Sequence, residues 1–498
     1  RLSGRHSEPQ NATAFTLALA IPFAWLGGIQ TIALAAAALF LQMYFTMDVC
    51  CLLLAACHSP GWRPKWPQIK PWQAGLAAAM CMVTMLLLNP LLAPWVMLAV
   101  TLTAMGTSYL SGGVELGGGE AIAGLVYSIA LQSLHALQED LQLAEGMGAE
   151  LAPLRWRPQL LCLVPSTHHT DSSPHAEEEA DLNASVLTLL AHRLKEGRGL
   201  TVLATIVDPQ LDFTRTEEGG ELVVDATSIV QHRSLYARAK HRLARLAEAA
   251  ELACFVDATV SAHYATAIGV VINCVGVGAL RPNTVLIGWP LPEEDEPADG
   301  AETTRYACEA MEALERALAY EKAVLLLAHP RVLPERIFPQ TKDGGVLDIW
   351  WVSHDGALPL MIAHLLTRHE LMRRYKVRTY MWLERHEALD LDVAEKRLRT
   401  FLHALRLHAT HVELLAQAEE LVGESAEERA LEKERQLNQA MASRVLPETM
   451  LVITNLTAPC AAHVKMPQMY TELLVNACLH LPPVLFVCGG AAEQVYVA

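Results

Sequence analysis

Residues 31–57 read TIALAAAALFLQMYFTMDVCCLLLAAC, and this run decides the fold of the N-terminal part of the chain. Asp48 is its only charged residue, and also the only charged residue between Asn11 and Cys57. A helix needs about 20 consecutive apolar residues to cross the hydrocarbon core of a bilayer. The run is therefore predicted to be a membrane-spanning helix.

Three further apolar segments flank this run. One precedes it at 13–26, and two follow it at 72–88 and 95–109, within a stretch from Pro71 to Val114 that has no charged residue. The sequence thus predicts about four membrane spans. The loop at 58–71 carries Arg63, Lys65 and Lys70, so the positive-inside rule places it, and with it the long C-terminal part, in the cytosol.

Charge and cysteine usage exclude some classes of protein. The net charge of −16 argues against nucleic-acid binding, which requires a basic surface, so no nucleic-acid partner is expected. The eleven cysteines contain no CxxC pair, which does not suit a disulfide framework. The chain begins at Arg1 with an apolar stretch too long for a signal peptide. We expect further membrane helices upstream, in a longer protein or a more complete gene model.

Beyond residue 115 the pattern changes to short apolar strands that alternate with helices. This alternation predicts a doubly wound α/β domain with a mostly parallel, buried sheet. The charged stretch 415–443 is predicted to be helical. The expected strands lie at 159–164, 200–207, 254–256, 284–289, 323–328, 347–352, 378–383, 450–454 and 484–487.

These patterns divide the chain into three regions. Residues 1–111 hold the transmembrane helices, and 112–150 form a linker whose helix-like part, 121–145, has an apolar face. Residues 151–498 form the α/β region, with a further division expected at 330/331 into two α/β subdomains. The overall fold class is an all-α transmembrane segment followed by a cytosolic α/β domain.

The membrane part offers two candidate site residues. An ionisable group inside a membrane helix, such as Asp48, is a candidate functional residue. Tyr44 lies four residues earlier on the same helical face, and a phenol can donate a hydrogen bond to an anion. Spacing alone favours a packing role for both residues, with Asp48 near a helix end or paired with a hydroxyl and Tyr44 as a core aromatic. The residues by themselves leave an ion site and simple packing both open.

The α/β region shows no catalytic constellation, and we expect no enzyme activity. His168, His169, Asp171 and His175 lie in an acidic segment rich in Pro and Ser, which is typical of an exposed loop rather than a metal site. His354-Asp355-Gly356 follows a strand but has no nucleophile beside it. The carboxyl ends of parallel strands commonly bind small ligands, so a nucleotide there is plausible.

Several motifs are more specific. In chain order they are Pro60-Gly-Trp-Arg-Pro64, Arg155-Trp-Arg-Pro-Gln-Leu-Leu161, Gly197-Arg-Gly-Leu-Thr201, Arg281-Pro-Asn-Thr-Val-Leu-Ile-Gly-Trp-Pro290, Leu347-Asp-Ile-Trp-Trp-Val-Ser-His-Asp-Gly356 and Met469-Tyr-Thr-Glu-Leu-Leu474. With these motifs the chain resembles the cation–chloride cotransporters (solute carrier family 12). Its Gly-Trp-Pro and His-Asp-Gly tripeptides are similar to those of the potassium–chloride branch.

The resemblance implies the C-terminal portion of an electroneutral symporter for K⁺ and Cl⁻. Its membrane part would correspond to the last helices of an amino-acid-permease (LeuT-like) fold. Tyr44, in Phe40-Leu-Gln-Met-Tyr44, matches the tyrosine that holds chloride in the family, whereas Asp48 stands where the family usually has asparagine. The cytosolic domain would dimerise into a homodimer, with 121–145 as a scissor-like helix, and could bind ATP without requiring it.

Two features depart from the family pattern. The long insert that carries phosphorylation sites is missing, which puts control by phosphorylation in doubt, and the charged segment after the last membrane helix is replaced by the glycine-rich 112–119. Two alternatives to a symporter stay open. One is a membrane-tethered, nucleotide-binding regulatory module that does not transport, and the other is a relative of the amino-acid permeases.

Overall fold

The computed structural model divides the chain into two compact units, Arg1–Glu139 and Asp140–Ala498. It describes residues 13–14, 16–17, 21, 28–56, 70–110, 126–127, 129–138, 158–166, 174–195, 199–209, 226–278, 280–291, 301–330, 338, 344–352, 358–383, 391–417, 426–456 and 467–489. All structural statements below concern these residues.

The first unit contains three long apolar helices, α1 (Ile29–Ala56), α2 (Pro71–Leu88) and α3 (Leu92–Leu110). Both α2 and α3 contact α1. The small side chains of Ala38 and Ala93 pack with Met85 where the three helices meet. Small residues let helix backbones approach closely, which is the usual way that helices associate in a bilayer.

Two of these helices are long and apolar enough to cross a membrane, at Ile32–Ala55 and Pro71–Leu88. The third contains a shorter apolar stretch, Ala93–Thr103. Most of the predicted first span, 13–26, lies outside the described residues. Large apolar side chains such as Phe40 and Leu87 are exposed on these helices. The prediction of about four spans in a LeuT-like arrangement therefore stays a prediction.

The second unit is built on one ten-stranded sheet with the order β3-β2-β1-β4-β5-β10-β9-β6-β7-β8. The strands are β1 (Leu160–Leu163), β2 (Thr201–Val207), β3 (Phe255–Val260), β4 (Thr284–Leu291), β5 (Ala323–Pro330), β6 (Val346–Val352), β7 (Lys376–Leu383), β8 (Ala409–Ala416), β9 (Thr449–Asn455) and β10 (Val484–Cys488). The pairing of β5 with β10 is antiparallel, and the other eight pairings are parallel.

Helices cover both faces of this sheet. One face carries α4 (Pro174–Lys195), α5 (Ala226–Ala249), α8 (Leu358–Arg368) and α9 (Leu391–Ala404), and the other carries α6 (Tyr264–Cys274), α7 (Ala301–Ala319), α10 (Ala426–Ala442) and α11 (Pro467–Cys478). Successive strand residues alternate between the faces, so that Leu325 and Leu327 pack in one core and Val324 and Leu326 in the other. A sheet buried on both faces explains why the strands are continuous apolar runs.

The sheet consists of two halves with the same topology. The first five strands have the order 3-2-1-4-5, and the last five repeat this order after the antiparallel junction, where Leu326 lies opposite Phe486. The helix after each strand also lies on the same face in both halves. The halves are thus related by a pseudo-two-fold axis through the β5–β10 junction. The division expected at 330/331 falls between β5 and β6.

The structure corrects part of the predicted element list. Residues 415–443 are not one helix, because 409–416 form the edge strand β8 and α10 begins only at Ala426. Polar residues such as His411 and Glu413 occupy β8, since an edge strand need not be apolar.

Candidate functional site

The first half of the sheet has a crevice at the carboxyl ends of β1 and β4. The connections from these two strands run in opposite directions along the sheet, and such a switch point is the usual ligand site of doubly wound folds. Among the side chains that line the crevice are Ser166, Asn183, Thr205, Tyr264 and Glu309.

The floor of the crevice is set by a buried polar pair. The amide Oδ1 of Asn183, on α4, lies 3.1 Å from Nε2 of His329, on β5. Both residues are buried. Gly288, on β4, lies beneath Asn183, and a Cβ at that position would clash with the Asn183 amide and with Leu187. The Gly-Trp-Pro motif noted in the sequence therefore has a packing role, because only glycine lets α4 approach this closely.

One hydroxyl in the crevice has no partner. Thr205, on β2, is 3% exposed, and its Oγ1 makes no hydrogen bond within the described part of the chain. A buried hydroxyl without a hydrogen bond is costly. The unpaired Oγ1 of Thr205 therefore indicates that a water molecule or a polar ligand atom binds in this crevice.

The crevice does not fit a nucleotide as it stands. Its free volume is about 40 Å³, which holds only a few water molecules. The described residues that line it include the acidic Glu309 but no Lys or Arg to pair with phosphate. In the sequence, β4 is followed by Glu293-Glu-Asp-Glu296, and not by a glycine-rich phosphate loop. The nucleotide remains a prediction without a described site.

The equivalent position in the second half carries a side-chain link between two strands. Strand pairing makes Asn455 the counterpart of Gly288, and Val352 the counterpart of Pro165. The backbone N–H of Val352 donates a hydrogen bond to Oδ1 of Asn455 at 2.9 Å, which joins the ends of β6 and β9. Pro165 has no N–H, so this link cannot form in the first half. The pseudosymmetry is therefore broken at the position where a ligand would bind.

The candidate residues of the membrane part lie on α1. Tyr44 is 52% exposed. Asp48, one turn further on, is partly buried, and the Sγ of Cys81, on α2, lies 4.0 Å from its carboxylate. The structure thus puts Asp48 at the α1–α2 contact while Tyr44 faces outward within this unit.

Sequence reasoning missed Gln42, which lies in the same stretch of α1. Its side chain is 3% exposed, and its Oε1 has no hydrogen-bond partner among the described residues. An unpaired amide oxygen is expensive at membrane depth. The signal was present in the sequence, because Gln42 is a polar residue in a run that is otherwise almost wholly apolar.

The remaining sequence candidates are not brought together. His168, His169, Asp171 and the tripeptide 354–356 lie outside the described residues. His175 falls in the first turn of α4, where its side chain is not described. Within the described ranges, no group of three His, Cys, Asp or Glu side chains could hold a metal ion.

A family model described as solute carrier family 12 matches residues 329–442. "Potassium/chloride cotransporter 3" from Caenorhabditis elegans is 26% identical over 441 residues, which cover 87% of this chain. "Cation-chloride cotransporter 1" from Oryza sativa subsp. japonica is 24% identical over 410 residues, or 81% of this chain. Each alignment covers 36% of the relative, so this chain spans about a third of those proteins.

Among solved structures, one match is the crystal structure of a functionally unknown protein from Pseudomonas aeruginosa PAO1. It is 11% identical, with a TM-score of 0.30 and coverage of 66% of this chain and 91% of that one. A likeness at this level carries no argument about function. The sequence matches confirm the resemblance predicted from the motifs: the chain is similar to solute carrier family 12 proteins and corresponds to the C-terminal portion of these relatives.

Proposed function

We propose that this chain is the C-terminal part of an electroneutral symporter that moves K⁺ and Cl⁻ together across a membrane. The observation that carries the proposal is the similarity, over more than four fifths of the chain, to proteins named as cation–chloride cotransporters. The two membrane-length helices followed by a ten-stranded α/β sheet suit a transport domain with a regulatory domain attached.

In this proposal Tyr44 is a chloride ligand. Its phenol would donate a hydrogen bond to the anion in a site that excludes bulk water. Two observations support it: the residue lies within a membrane-length helix, and it is half exposed within its own unit. The resemblance of Phe40-Leu-Gln-Met-Tyr44 to the chloride-binding segment of the cation–chloride cotransporters implies the same role. Asp48 is assigned to helix packing, because its carboxylate faces Cys81 on α2.

The C-terminal domain would lie in the cytosol of a multi-pass membrane protein. It would join two copies into a homodimer, with the 121–145 segment as the connecting helix. The described helical residues 129–138 leave Ile129, Leu131 and Leu137 exposed, which an apolar partner surface would cover.

The direct test is uptake of rubidium, a potassium tracer, in cells that express the complete transcript. Uptake should fall to background when chloride is replaced by gluconate, and it should be unchanged when sodium is replaced by N-methylglucamine. It should also not depend on membrane voltage. Uptake that needs sodium, or that is equal with and without chloride, would overturn the proposal.

A second candidate is a tethered regulatory module that does not transport. The observation in its favour is the completeness of the α/β domain, which holds both halves of the pseudosymmetric sheet. If the complete transcript gives no rubidium uptake at the cell surface, while the protein alters flux through a co-expressed transporter, this second function is the better account.

A further inference from the structure

Helix α5 is strongly basic in a strongly acidic protein. Its 24 residues carry five Lys and Arg side chains and one acidic residue, Glu248, whereas the whole chain has a net charge of −16. The buried side of the helix, which includes Ala239 and Leu243, packs on the outer part of the first half-sheet. The basic residues lie mostly on the opposite side.

Four of the five cations point away from the domain. Arg233, Arg238, Lys240 and Arg245 are exposed. The ammonium of Lys240 lies 3.3 Å from the hydroxyl of Tyr236 on the same helix. Within the described part of the chain, the other three make no hydrogen bond or ion pair.

The fifth cation, Arg242, has a structural role. Nε of Arg242 donates to the carboxylate of Asp181 at 2.8 Å, and Nη1 donates to the carbonyl oxygen of Pro165 at 2.8 Å. This arginine fastens α5 to α4. The exposed arginines have no such partners, so the fold does not account for them.

The pseudo-two-fold axis supplies an internal comparison. Helix α9 occupies the equivalent place in the second half, between β7 and β8 on the same face of the sheet. It carries Lys396, Arg397 and Arg399 together with Asp392 and Glu395, and Arg399 pairs with Glu395 at 2.7 Å. A helix in this position therefore packs well with mixed charges. The excess of positive charge on α5 is a property of that helix and not a requirement of the fold.

The exposed face of α5 is also not purely polar. Val230 is 67% exposed and Tyr236 is 37% exposed, beside the cations. A basic helix with apolar and aromatic residues at its surface is typical of helices that lie on membranes. An acidic protein segment would match the charge but would leave Val230 without a partner.

The membrane that holds the first unit of the chain would be a suitable partner for the basic face of α5. Its two membrane-length helices would keep the α/β domain close to the bilayer, which gives a high local concentration of lipid headgroups. The cytoplasmic leaflet carries anionic lipids that attract clusters of Lys and Arg. We propose that the exposed face of α5, formed by Arg233, Arg238, Lys240 and Arg245, docks on anionic headgroups of the membrane in which the chain is anchored.

This inference rests on the proposed function in one respect, that the chain is inserted in a membrane with its α/β domain on the side of the anionic leaflet. Docking would hold the domain near the transport part. It would respond to lipid composition and ionic strength, because the attraction of exposed charges is screened by salt.

The test uses the full chain reconstituted into vesicles of phosphatidylcholine with or without phosphatidylserine. The photo-cross-linking amino acid p-benzoylphenylalanine replaces Ala244, which is exposed on the basic face. Mass spectrometry then identifies what is cross-linked. We expect lipid adducts in vesicles with phosphatidylserine, and at least several-fold fewer without it or at high salt. The same probe at Thr400, exposed on α9, should give few lipid adducts in either vesicle.

Charge reversal provides the matched comparison. Arg238→Glu with Arg245→Glu should abolish the adducts at position 244, whereas Lys396→Glu with Arg397→Glu on α9 changes the net charge equally and should leave them intact. If the reversed variant fails to fold, Arg238→Gln with Arg245→Gln replaces it and should reduce the adducts several-fold.

Three results would overturn the inference: no lipid adducts in either vesicle, adducts that charge reversal does not change, or adducts to a peptide of this chain, such as the acidic 293–296 segment. The assay does not require transport. Adducts from this chain, without chloride-dependent rubidium uptake by the complete transcript, would contradict only the proposed function, and such uptake without adducts would contradict only the docking.

Discussion

Arg378, on β7, donates two hydrogen bonds to Asp348, on the neighbouring β6, with Nε–Oδ1 at 2.7 Å and Nη2–Oδ2 at 2.5 Å. The Asp348 side chain is 1% exposed, and the hydroxyl of Thr449 donates a third hydrogen bond at 3.1 Å. Burial raises the pKa of Asp348, against the opposing effect of these donors. Burial acts to lower the pKa of Arg378, but Asp348 outweighs it and raises that pKa.

A raised pKa of Asp348 favours its neutral form, whereas a raised pKa of Arg378 favours the charged pair. Because three donated hydrogen bonds reach the one carboxylate, we treat Asp348 and Arg378 as a charged pair. Asp348→Ala should therefore lower the free energy of unfolding by about 3–5 kcal/mol, because it leaves Arg378 without its counter-ion. Thermal unfolding of the detergent-solubilised chain measures this. The double variant Asp348→Leu with Arg378→Met should be more stable than Asp348→Ala. If Asp348→Ala unfolds like the wild type, the pair has no structural role.

Gly288→Ala tests the close approach of α4 to the sheet. The added Cβ would press against Asn183 and Leu187, and overpacking of this kind costs about 1–3 kcal/mol. Gly489→Ala is the matched control, since a Cβ at that position meets no atom within 4 Å. Equal melting temperatures for the two variants would show that the contact at Gly288 is not tight.

Asn455→Ala tests the link between the ends of β6 and β9. It removes the acceptor of the Val352 N–H, and an unpaired buried donor costs about 1–3 kcal/mol. Asn455→Asp keeps an oxygen acceptor and should recover part of the loss. Hydrogen exchange at the Val352 amide reports the link directly, and it should accelerate in Asn455→Ala only. Unchanged protection of that amide in the alanine variant would contradict the assignment.

The two halves also meet through a pair of histidines, and this contact predicts a pH dependence. His192, on α4, and His369, just after α8, have ring centroids 5.3 Å apart. Burial lowers the pKa of both rings, Arg193 lowers both further, and His192 adds to the effect on His369. The N–H of Leu371 donates to Nδ1 of His369 at 3.3 Å, which also favours the neutral ring.

A histidine pKa that is lower in the folded state means that the unfolded chain takes up protons first as the pH falls. The stabilising contribution is complete above the ordinary pKa of about 6.5 and is lost as the pH falls through the folded value. The melting temperature should therefore fall between neutral and mildly acidic pH. His369→Gln should flatten this dependence, whereas His403→Gln, an exposed histidine on α9, should not. A slope unchanged by His369→Gln would contradict the prediction.

Much of the α/β fold could be predicted from the sequence, because each strand buried on both faces is a continuous apolar run, such as 323–328. The edge strand β8 was missed because its polar residues alternate with apolar ones and are partly exposed. The repeated topology of the two halves could not be predicted, since it is a property of strand order, which the positions of the strands along the chain do not determine. The buried Asp348–Arg378 pair was missed for a related reason, because the two residues lie 30 positions apart and meet only through strand register.

The candidate sites could be predicted less well. Tyr44 was found through its motif, and the structure gives its exposure but no ligand. The orphan hydroxyl of Thr205 could not be recognised, since the lack of a partner is visible only in three dimensions. Gln42 could have been singled out as a polar residue in an apolar run, but its unpaired amide oxygen is likewise visible only in the structure.

The most direct test of the central claim is the chloride dependence of rubidium uptake in cells that express the complete transcript with Tyr44→Phe. Loss of a hydrogen bond to an anion costs about 1.5–3 kcal/mol, so the chloride concentration for half-maximal uptake should rise by about tenfold or more. Tyr236→Phe, at an exposed tyrosine of α5, should leave that concentration unchanged. If Tyr44→Phe has the same chloride dependence as the wild type at equal surface expression, Tyr44 is not a chloride ligand.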